Sequence, residues 1–268
     1  MKLQHIISTM HRTEFSFVEG MNLKNDALVV NQADGEGDIS FSLDGKQIRV
    51  ITTTERGLSN SRNKLLDNTD CDVAILGDDD LYYLDGYEKI IESAYEKYPK
   101  ADIIAFCFTQ KLGEDTRRQF PKPKKLGILD IGKIASVEIT FKPKSVKEKE
   151  IRFDTLLGLG AEFGSGEENA FLADALRAGL EIQFVPMTIC YLLPDTEERK
   201  KWKDGFGEDY FVKKGACFFR IYRGLFLPLA IAFVLLKKRG VFKRVPTVSA
   251  IKWMIRGKRL YKQKTKEE

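Results

Sequence analysis

Residues 72–82 read Asp-Val-Ala-Ile-Leu-Gly-Asp-Asp-Asp-Leu-Tyr, an apolar run that ends in three adjacent carboxylates. The run is short and continuous, which is typical of a strand buried on both faces of a parallel sheet. In open α/β sheets, ligands bind beyond the carboxyl ends of the strands. Asp78, Asp79 and Asp80 repel one another, and a hard divalent cation shared with substrate phosphates would compensate them. The alternative is a solvated acidic turn before a helix.

Short apolar runs alternate with helical patterns through the first 110 residues, which predicts an α/β fold with a mainly parallel sheet covered on both faces. The further strands are predicted at 5–9, 27–31, 48–52 and 103–108, and the helices at 58–68 and 87–98. The Gly- and Asp-rich stretch 32–47 predicts a turn or small hairpin. The basic stretch 111–133 predicts a long loop, functional or disordered.

The second half continues the pattern to about residue 192. The predicted elements are a strand at 137–141, a helix at 167–179, and two closing strands at 181–185 and 188–192 around Pro186. The four cysteines form no metal-binding or CxxC spacing, so we expect reduced core residues of a cytosolic protein. The N-terminus carries no signal-peptide pattern, and the active domain is therefore expected in the cytoplasm.

The C-terminal segment differs in charge from the rest of the chain. Residues 213–268 hold 16 Lys and Arg against two Glu, a net +14, whereas residues 1–212 carry −9. This asymmetry predicts an anionic partner, either membrane lipid or nucleic acid. The apolar run 224–236 has 13 residues, fewer than the ~20 that span a bilayer. Its basic flanks favour an interfacial helix, and the alternative is packing against the preceding α/β domain or a dimer interface.

Two more motifs combine glycines with charged residues at helix starts. Residues 57–63 read Gly-Leu-Ser-Asn-Ser-Arg-Asn. Gly57 permits a tight turn, Ser59 can cap the helix, and Arg62 in the first turns would complete a phosphate cradle. The alternative is a solvated or paired arginine on an amphipathic helix.

The other motif, residues 164–172, reads Gly-Ser-Gly-Glu-Glu-Asn-Ala-Phe-Leu. The helix dipole alone accounts for acidic residues at a helix start. The functional interpretation is that one glutamate is a general base, with a pKa raised by partial burial near other acids.

The order and spacing of these motifs over roughly residues 1–195 resemble the family-2 glycosyltransferases. Within them the chain looks most similar to bacterial enzymes of capsular or exopolysaccharide synthesis. The resemblance implies a GT-A fold, Rossmann-like with flanking helices, over residues 1–212, with a donor half at about 1–110 and an acceptor half at about 111–212. Residues 213–268 would be a basic and apolar helical appendage that associates with a membrane or an oligomer partner.

The resemblance also implies roles for individual residues. Asp78 and Asp80 correspond to the ends of the DxD motif that binds Mn²⁺ or Mg²⁺, with Asp79 between them. Glu168 corresponds to the catalytic base, with Glu167 as its neighbour. The positions that resemble the nucleotide-binding set are Thr9, Met10, Asn31, Gln32, Gly57, Ser59, Arg62, Asp78 and Asp79.

The implied reaction moves a sugar, with inversion, from a nucleotide-sugar, expected to be a UDP-sugar, to a hydroxyl acceptor. The acceptor would be a glycan or a polyprenyl-diphosphate-linked sugar at the inner face of the cell membrane, and oligomerisation through the C-terminal segment is possible.

A sugar nucleotidyltransferase would need a Gly-rich loop after the first strand, and residues 8–12 contain no glycine. A catalytically inactive, membrane-tethered sugar-nucleotide-binding subunit is the non-enzyme alternative. Nucleic acid is not expected as a partner, because the body is acidic and lacks a nucleic-acid motif.

Overall fold

The computed structural model describes residues 1–110, 120–193, 206–238, 240, 242–243 and 245–267. The strands are β1 (Leu3–Met10), β2 (Asp26–Gln32), β3 (Gly37–Leu43), β4 (Lys46–Thr53), β5 (Val73–Asp78), β6 (Leu81–Tyr83), β7 (Ile103–Thr109), β8 (Lys124–Lys125), β9 (Ile139–Phe141) and β10 (Ile182–Leu192). The α-helices are α1 (Phe17–Gly20), α2 (Leu58–Asn68), α3 (Tyr87–Lys97), α4 (Pro143–Glu148), α5 (Glu167–Arg177), α6 (Glu208–Tyr222), α7 (Phe226–Lys238) and α8 (Thr247–Glu267).

The strands of the described chain form one sheet in the order β3-β4-β2-β1-β5-β9-β7-β10-β6, with β8 paired to β10. Strands β4, β2, β1 and β5 pair in parallel, as do β7 and β10. Strands β3, β6 and β9 run antiparallel to their neighbours. The predicted mainly parallel α/β fold is therefore confirmed.

The predicted bounds of helices and strands agree best with the structure where the periodic sequence pattern is long. Helix α2 begins and ends at the predicted residues, and the stretch 32–47 contains β3 and the start of β4, a hairpin that turns at Asp44 and Gly45. The two closing strands are instead one strand, β10, which continues through Pro186. Proline has no N–H to donate, and the register with β7 shifts between Phe184 and Thr188, so the chain accommodates Pro186 as an irregularity. Part of the predicted loop, residues 111–119, lies outside the described residues.

Strand β5 is buried on both faces, as its continuous apolar run predicts. Ala74 and Leu76 belong to one apolar cluster, together with residues of α2 and α5. Val73 and Ile75 belong to a second cluster on the opposite face, together with residues of α3. Because both faces are covered, the sheet edge at the carboxyl ends of the strands is where polar side chains of β5 and its neighbours reach solvent.

The C-terminal helices pack onto the α/β domain. Ala216, Cys217 and Ile221 of α6 join the same apolar cluster as Leu76 of β5, and Tyr261 of α8 joins them. This packing is one of the alternatives that the sequence left open for the segment. Helix α6 spans the junction at residues 212–213, and the proposed domain boundary there stays a prediction.

Helix α7 buries one face only. Phe226, Ala230 and Val234, four residues apart, pack into a cluster with α6 and α8. Three leucines of α7, and Leu225 just before it, are about half exposed or more: Leu225 48%, Leu227 48%, Leu235 53% and Leu236 83%. The helical run Glu208–Lys237 has the length and composition of a membrane-crossing helix, features that core helices of soluble proteins also have. Its first half packs on the α/β domain, and Arg223, at a φ of 44°, interrupts it.

Helices α6 and α8 touch through two glycines. A Cβ on Gly257 would lie 1.9 Å from the carbonyl oxygen of Val212, and one on Gly215 would lie 2.1 Å from that of Met254. Both neighbours are backbone atoms, which cannot move aside as a flexible side chain can. The close approach therefore requires glycine at both positions.

We expect Gly257→Ala to lower the thermal midpoint of unfolding. Helix propensity alone would raise stability by up to ~1 kcal/mol, whereas overpacking costs ~1–3 kcal/mol, so the sign of the change tests the contact. Gly20→Ala is the control, because no atom lies within 4 Å of its Cβ. Stabilisation by both substitutions would contradict the close helix contact.

Candidate active site

The residues assigned to nucleotide binding meet at one edge of the sheet. The register of β1 with β2 pairs Thr9 with Asn31 and Met10 with Gln32. The register of β1 with β5 pairs Ser8 with Asp78, the last residue of β5. Parallel strands bring their carboxyl ends together, and the structure thus gathers side chains that are up to about 70 residues apart in sequence.

Asp79 is held by the end of β1. Its Oδ2 accepts hydrogen bonds from Thr9 Oγ1 at 2.6 Å and from Arg12 Nη2 at 2.8 Å. Arg12 is fixed in turn, because Asn31 donates to its carbonyl oxygen and accepts from its backbone N–H. Nothing in the sequence singles out Arg12, because no spacing indicates which basic residue the fold brings to the Asp triplet.

Arg62 is the centre of the site's electrostatics. Its side chain is 1% exposed and donates from Nη1 to Glu167 Oε1 at 2.7 Å and from Nη2 to Asp78 Oδ1 at 3.2 Å. Burial alone lowers the pKa of Arg62, and the charges of Asp78 and Glu167 outweigh burial, so the pKa is raised. The guanidinium is paired with two carboxylates, and its predicted part in a phosphate cradle stays a prediction.

The residues at the start of α2 also form hydrogen bonds within the protein. Gly57 precedes the helix with a φ of 103°, and Ser59 makes no capping hydrogen bond, contrary to expectation. Ser59 Oγ instead donates to the carbonyl oxygen of Leu157 at 2.7 Å, and Leu58 N donates to that of Leu159 at 2.9 Å. Segment 157–159 thus closes over the start of α2 and joins the two halves of the domain.

The two glutamates at the start of α5 have different surroundings. Gly166 precedes the helix with a φ of 92°, and Glu167 is buried against Arg62. Glu168 has a pKa raised to about 7, first by burial and then by the negative charge of Glu167, against the opposing effect of Arg62. A carboxylate with a pKa near 7 is suited to accept a proton at neutral pH.

A second buried acid lies near the Asp triplet. Glu138 is 1% exposed, and burial raises its pKa to about 7 against a hydrogen bond from the Ala135 backbone N–H. The pKa of Cys190 is raised by burial and by the charges of Glu138, Asp80 and Asp78, which indicates that these acids share one neighbourhood. Glu138 is not indicated by the sequence, because the alternating pattern at 137–141 predicts a half-buried strand, whereas residues 136–138 form a 3-10 turn.

Within the described residues, no group of three or more His, Cys, Asp and Glu side chains is arranged to hold a metal by itself. Mg²⁺ is commonly bound by one or two carboxylates together with substrate phosphates, and such a site needs fewer protein ligands. Asp78 and Asp80, at the end of β5, provide hard oxygen ligands of this kind. The donor set fits a divalent cation that binds with a diphosphate.

Comparisons with known proteins identify the class of this fold. The Staphylococcus aureus protein TarS, as fragment 1–349 in complex with UDP-GlcNAc, has a TM-score of 0.63 and 13% identity over 91% of this chain and 74% of that chain. The same fragment in another crystal structure gives a TM-score of 0.59 and 13% identity over 98% and 92%. A longer TarS structure gives 0.58 and 12%, and the match spans 44% of its length. The fold is that of the GT-A glycosyltransferases.

A family model also matches part of the sequence. The model described as glycosyl transferase family 2 matches residues 30–152, which include strand β5, the turn at Gly57 and the Asp triplet. Over these residues the chain is similar to the family-2 glycosyltransferases. No curated protein matches the chain in sequence.

Replacing Arg62 tests the buried ion pairs. We expect Arg62→Met to lower the free energy of unfolding by ~3–5 kcal/mol, because it leaves Glu167 charged, buried and unpaired. Denaturant unfolding measures the loss. Arg49→Met is the matched control, since its pair with Asp38 has side chains 42% and 50% exposed and contributes at most ~1 kcal/mol. Equal losses in the two variants would contradict a structural role for Arg62.

Proposed function

We propose that this chain transfers a sugar from a UDP-sugar to a hydroxyl group of a glycan or lipid-linked acceptor, with inversion, in cell-surface polysaccharide synthesis. One observation carries the proposal. The buried guanidinium of Arg62 hydrogen-bonds both Asp78, at the end of β5, and Glu167, at the start of α5. The acidic turn that would receive the donor diphosphate is thereby joined to the helix start that would receive the acceptor hydroxyl.

Glu168 is the proposed general base. Glu167 is engaged by Arg62, whereas Glu168 has the pKa near 7 that proton transfer from a hydroxyl requires. Deprotonated Glu168 would take the acceptor's proton as the acceptor oxygen attacks the anomeric carbon and the nucleoside diphosphate leaves. A single displacement of this kind inverts the anomeric configuration. Glu167 and Arg62 act as positioning residues, and the charge of Glu167 keeps the pKa of Glu168 high.

Asp78 and Asp80 are the proposed ligands of Mn²⁺ or Mg²⁺. When bound, the metal would supply positive charge to the leaving diphosphate. Asp79 would orient the turn through its hydrogen bonds to Thr9 and Arg12. Thr9, Met10, Asn31 and Gln32 would surround the base and ribose at the strand ends. The TarS structures with UDP-GlcNAc and with UDP support a uridine nucleotide as the donor.

The proposed location is peripheral, at the inner face of the cell membrane. Residues 213–268 carry a net charge of +14, and α7 exposes leucines beside that charge. Basic residues near an anionic leaflet contribute up to ~1 kcal/mol each, and apolar burial adds to this attraction. A homo-oligomer through the same face is the alternative arrangement. Deleting residues 213–268 would not test membrane binding by itself, because the deletion also removes core residues Ala216 and Cys217.

We expect Asp80→Ala to abolish metal-stimulated release of UDP from a UDP-sugar while leaving the fold intact. A part-exposed carboxylate at a strand end is not a core residue, and its removal takes a ligand from the proposed metal site. Release of nucleoside diphosphate is measured across a panel of nucleotide-sugars with and without Mn²⁺, alongside Mn²⁺ binding in the presence of UDP. Asp85→Ala is the control, because its side chain is 85% exposed. Turnover by Asp80→Ala in metal-free buffer at the wild-type rate would refute the assignment.

We expect Glu168→Gln to keep donor binding and lose ~10²–10⁴-fold in kcat, the usual contribution of one general base. In the wild type the base works only when deprotonated, so kcat/KM should rise with pH through about 7 and level off above it. The variant should lose this limb of the pH profile. Glu167→Gln is the matched control and should mainly reduce stability, because it removes a partner of buried Arg62. An inactive Glu167→Gln beside an active Glu168→Gln would reverse the two roles.

A further inference from the structure

A pocket lies where the end of α6 meets α8, and its lining does not include the Asp triplet. Its volume is about 490 Å³. The lining combines three cationic side chains with two aromatic rings: Phe219, Arg220, Arg223, Gly224, Lys258 and Tyr261. The proposed glycosyl transfer uses none of these residues.

One of the three cations is neutralised inside the protein. Arg220 donates to Asp154 Oδ2 at 2.6 Å and to Asp174 Oδ2 at 2.5 Å, and it is largely buried. Burial lowers its pKa, but the hydrogen bonds and charge of Asp174 raise it by more. Tyr261 also donates to Asp154, and Arg177 shares Asp174. Arg220 therefore forms the wall of the pocket without adding net charge to it.

The other two cationic side chains differ from Arg220 in their partners. Among the residues that the structure describes, neither Arg223 nor Lys258 forms an ion pair with a carboxylate. Lys258 Nζ lies 5.3 Å from the ring centroid of Phe219 and 5.1 Å from that of Phe226, so its ammonium group makes cation–π contacts with both rings. The pKa of Arg177 is lowered first by burial and then by the positive charge of Arg223, so positive charge accumulates around the pocket.

The backbone at Arg223 is unusual for a residue with a side chain. Its φ is 44° and its ψ is −108°, outside the regions that residues with a Cβ normally adopt. Such conformations persist where the surrounding structure enforces them, and they cluster at ligand-binding positions. This turn ends α6, begins the link to α7, and sets the exposed guanidinium at the rim of the pocket.

The apolar surface begins directly beside this charge. Leu225 and Leu227, two and four residues after Arg223, are each 48% exposed, and the exposed side of α7 continues to Leu235 and Leu236. A free anion would be bound by the charges alone and would leave the leucines in water. A phosphate that carries acyl chains would use both surfaces.

We propose that this pocket binds the phosphate group of an anionic membrane lipid, with the acyl chains along the exposed side of α7. Arg223 would donate its planar N–H groups to the phosphate oxygens, and Lys258 would act as a point charge beside them. The inference deepens the proposed function, because it rests on a membrane-peripheral glycosyltransferase and names the lipid group that would hold it at the membrane.

The test compares two double variants that remove the same charge. The pocket variant is Arg223→Gln with Lys258→Gln, and the control is Lys252→Gln with Arg259→Gln, which are exposed positions of α8 outside the pocket lining. Calorimetric titration of the full chain uses a short-chain phosphatidylglycerol kept below its micelle concentration, so that no charged lipid surface is present. We expect the pocket variant to bind at least ~10-fold more weakly and the control to bind as the wild type does, because only the pocket variant loses hydrogen bonds to a charged group.

Further ligands and readouts separate the possible sources of binding. Inorganic phosphate should bind more weakly than the lipid, and equal binding would indicate a free-phosphate site and overturn the proposal. Equal losses in the two variants, or no lipid binding by the wild type, would also overturn it. Thermal unfolding checks that both variants are folded. UDP release is measured in the same samples. Absence of turnover would count against the proposed glycosyl transfer, whereas the lipid proposal is judged only by the binding measurements.

Discussion

The buried ion pairs of Arg62 are the interaction on which the site depends. A charged guanidinium with 1% of its side chain exposed is tolerated only because Glu167 and Asp78 surround it. These partners come from α5 and β5, which belong to different halves of the chain. The same contact therefore closes the domain, fixes the acidic turn after β5 and orients the first turn of α5. Removing Arg62 would leave the buried charge of Glu167 without this partner.

The arrangement gives neighbouring acids distinct environments. Asp79 is held by Arg12 and Thr9, and Asp78 by Arg62, so two members of the Asp triplet are balanced by arginines before a ligand binds. At the start of α5, Glu167 takes the ion pair, and Glu168 is left with burial and a negative neighbour, which raise its pKa to about 7. Adjacent carboxylates therefore differ in their surroundings, because each has different partners.

The C-terminal helices are structurally connected to this site. Cys217 of α6 lies against Gly166, the residue before Glu167, so closely that a Cβ on Gly166 would lie 2.2 Å from the Cys217 sulfur. The same helix continues to Arg220, which pairs with Asp174 of α5. Helix α6 thus links the start of α5 to the exposed apolar side of α7. Packing on the α/β domain and exposure of the leucines are properties of different faces of one helical unit.

The sequence by itself determined the elements whose signal is local. The apolar run before Asp78, the helix at 58–68 and the order of the three motifs follow from periodicity and turn chemistry, and the structure contains each of them. The tertiary structure alone decided the pairing of Arg62 with Glu167, 105 residues away, the approach of Arg12 to Asp79 and the packing of α6. It also distinguished the surroundings of Glu167 and Glu168. Periodicity reports which face of an element is buried, whereas partners and pKa shifts depend on which distant charges folding brings into contact.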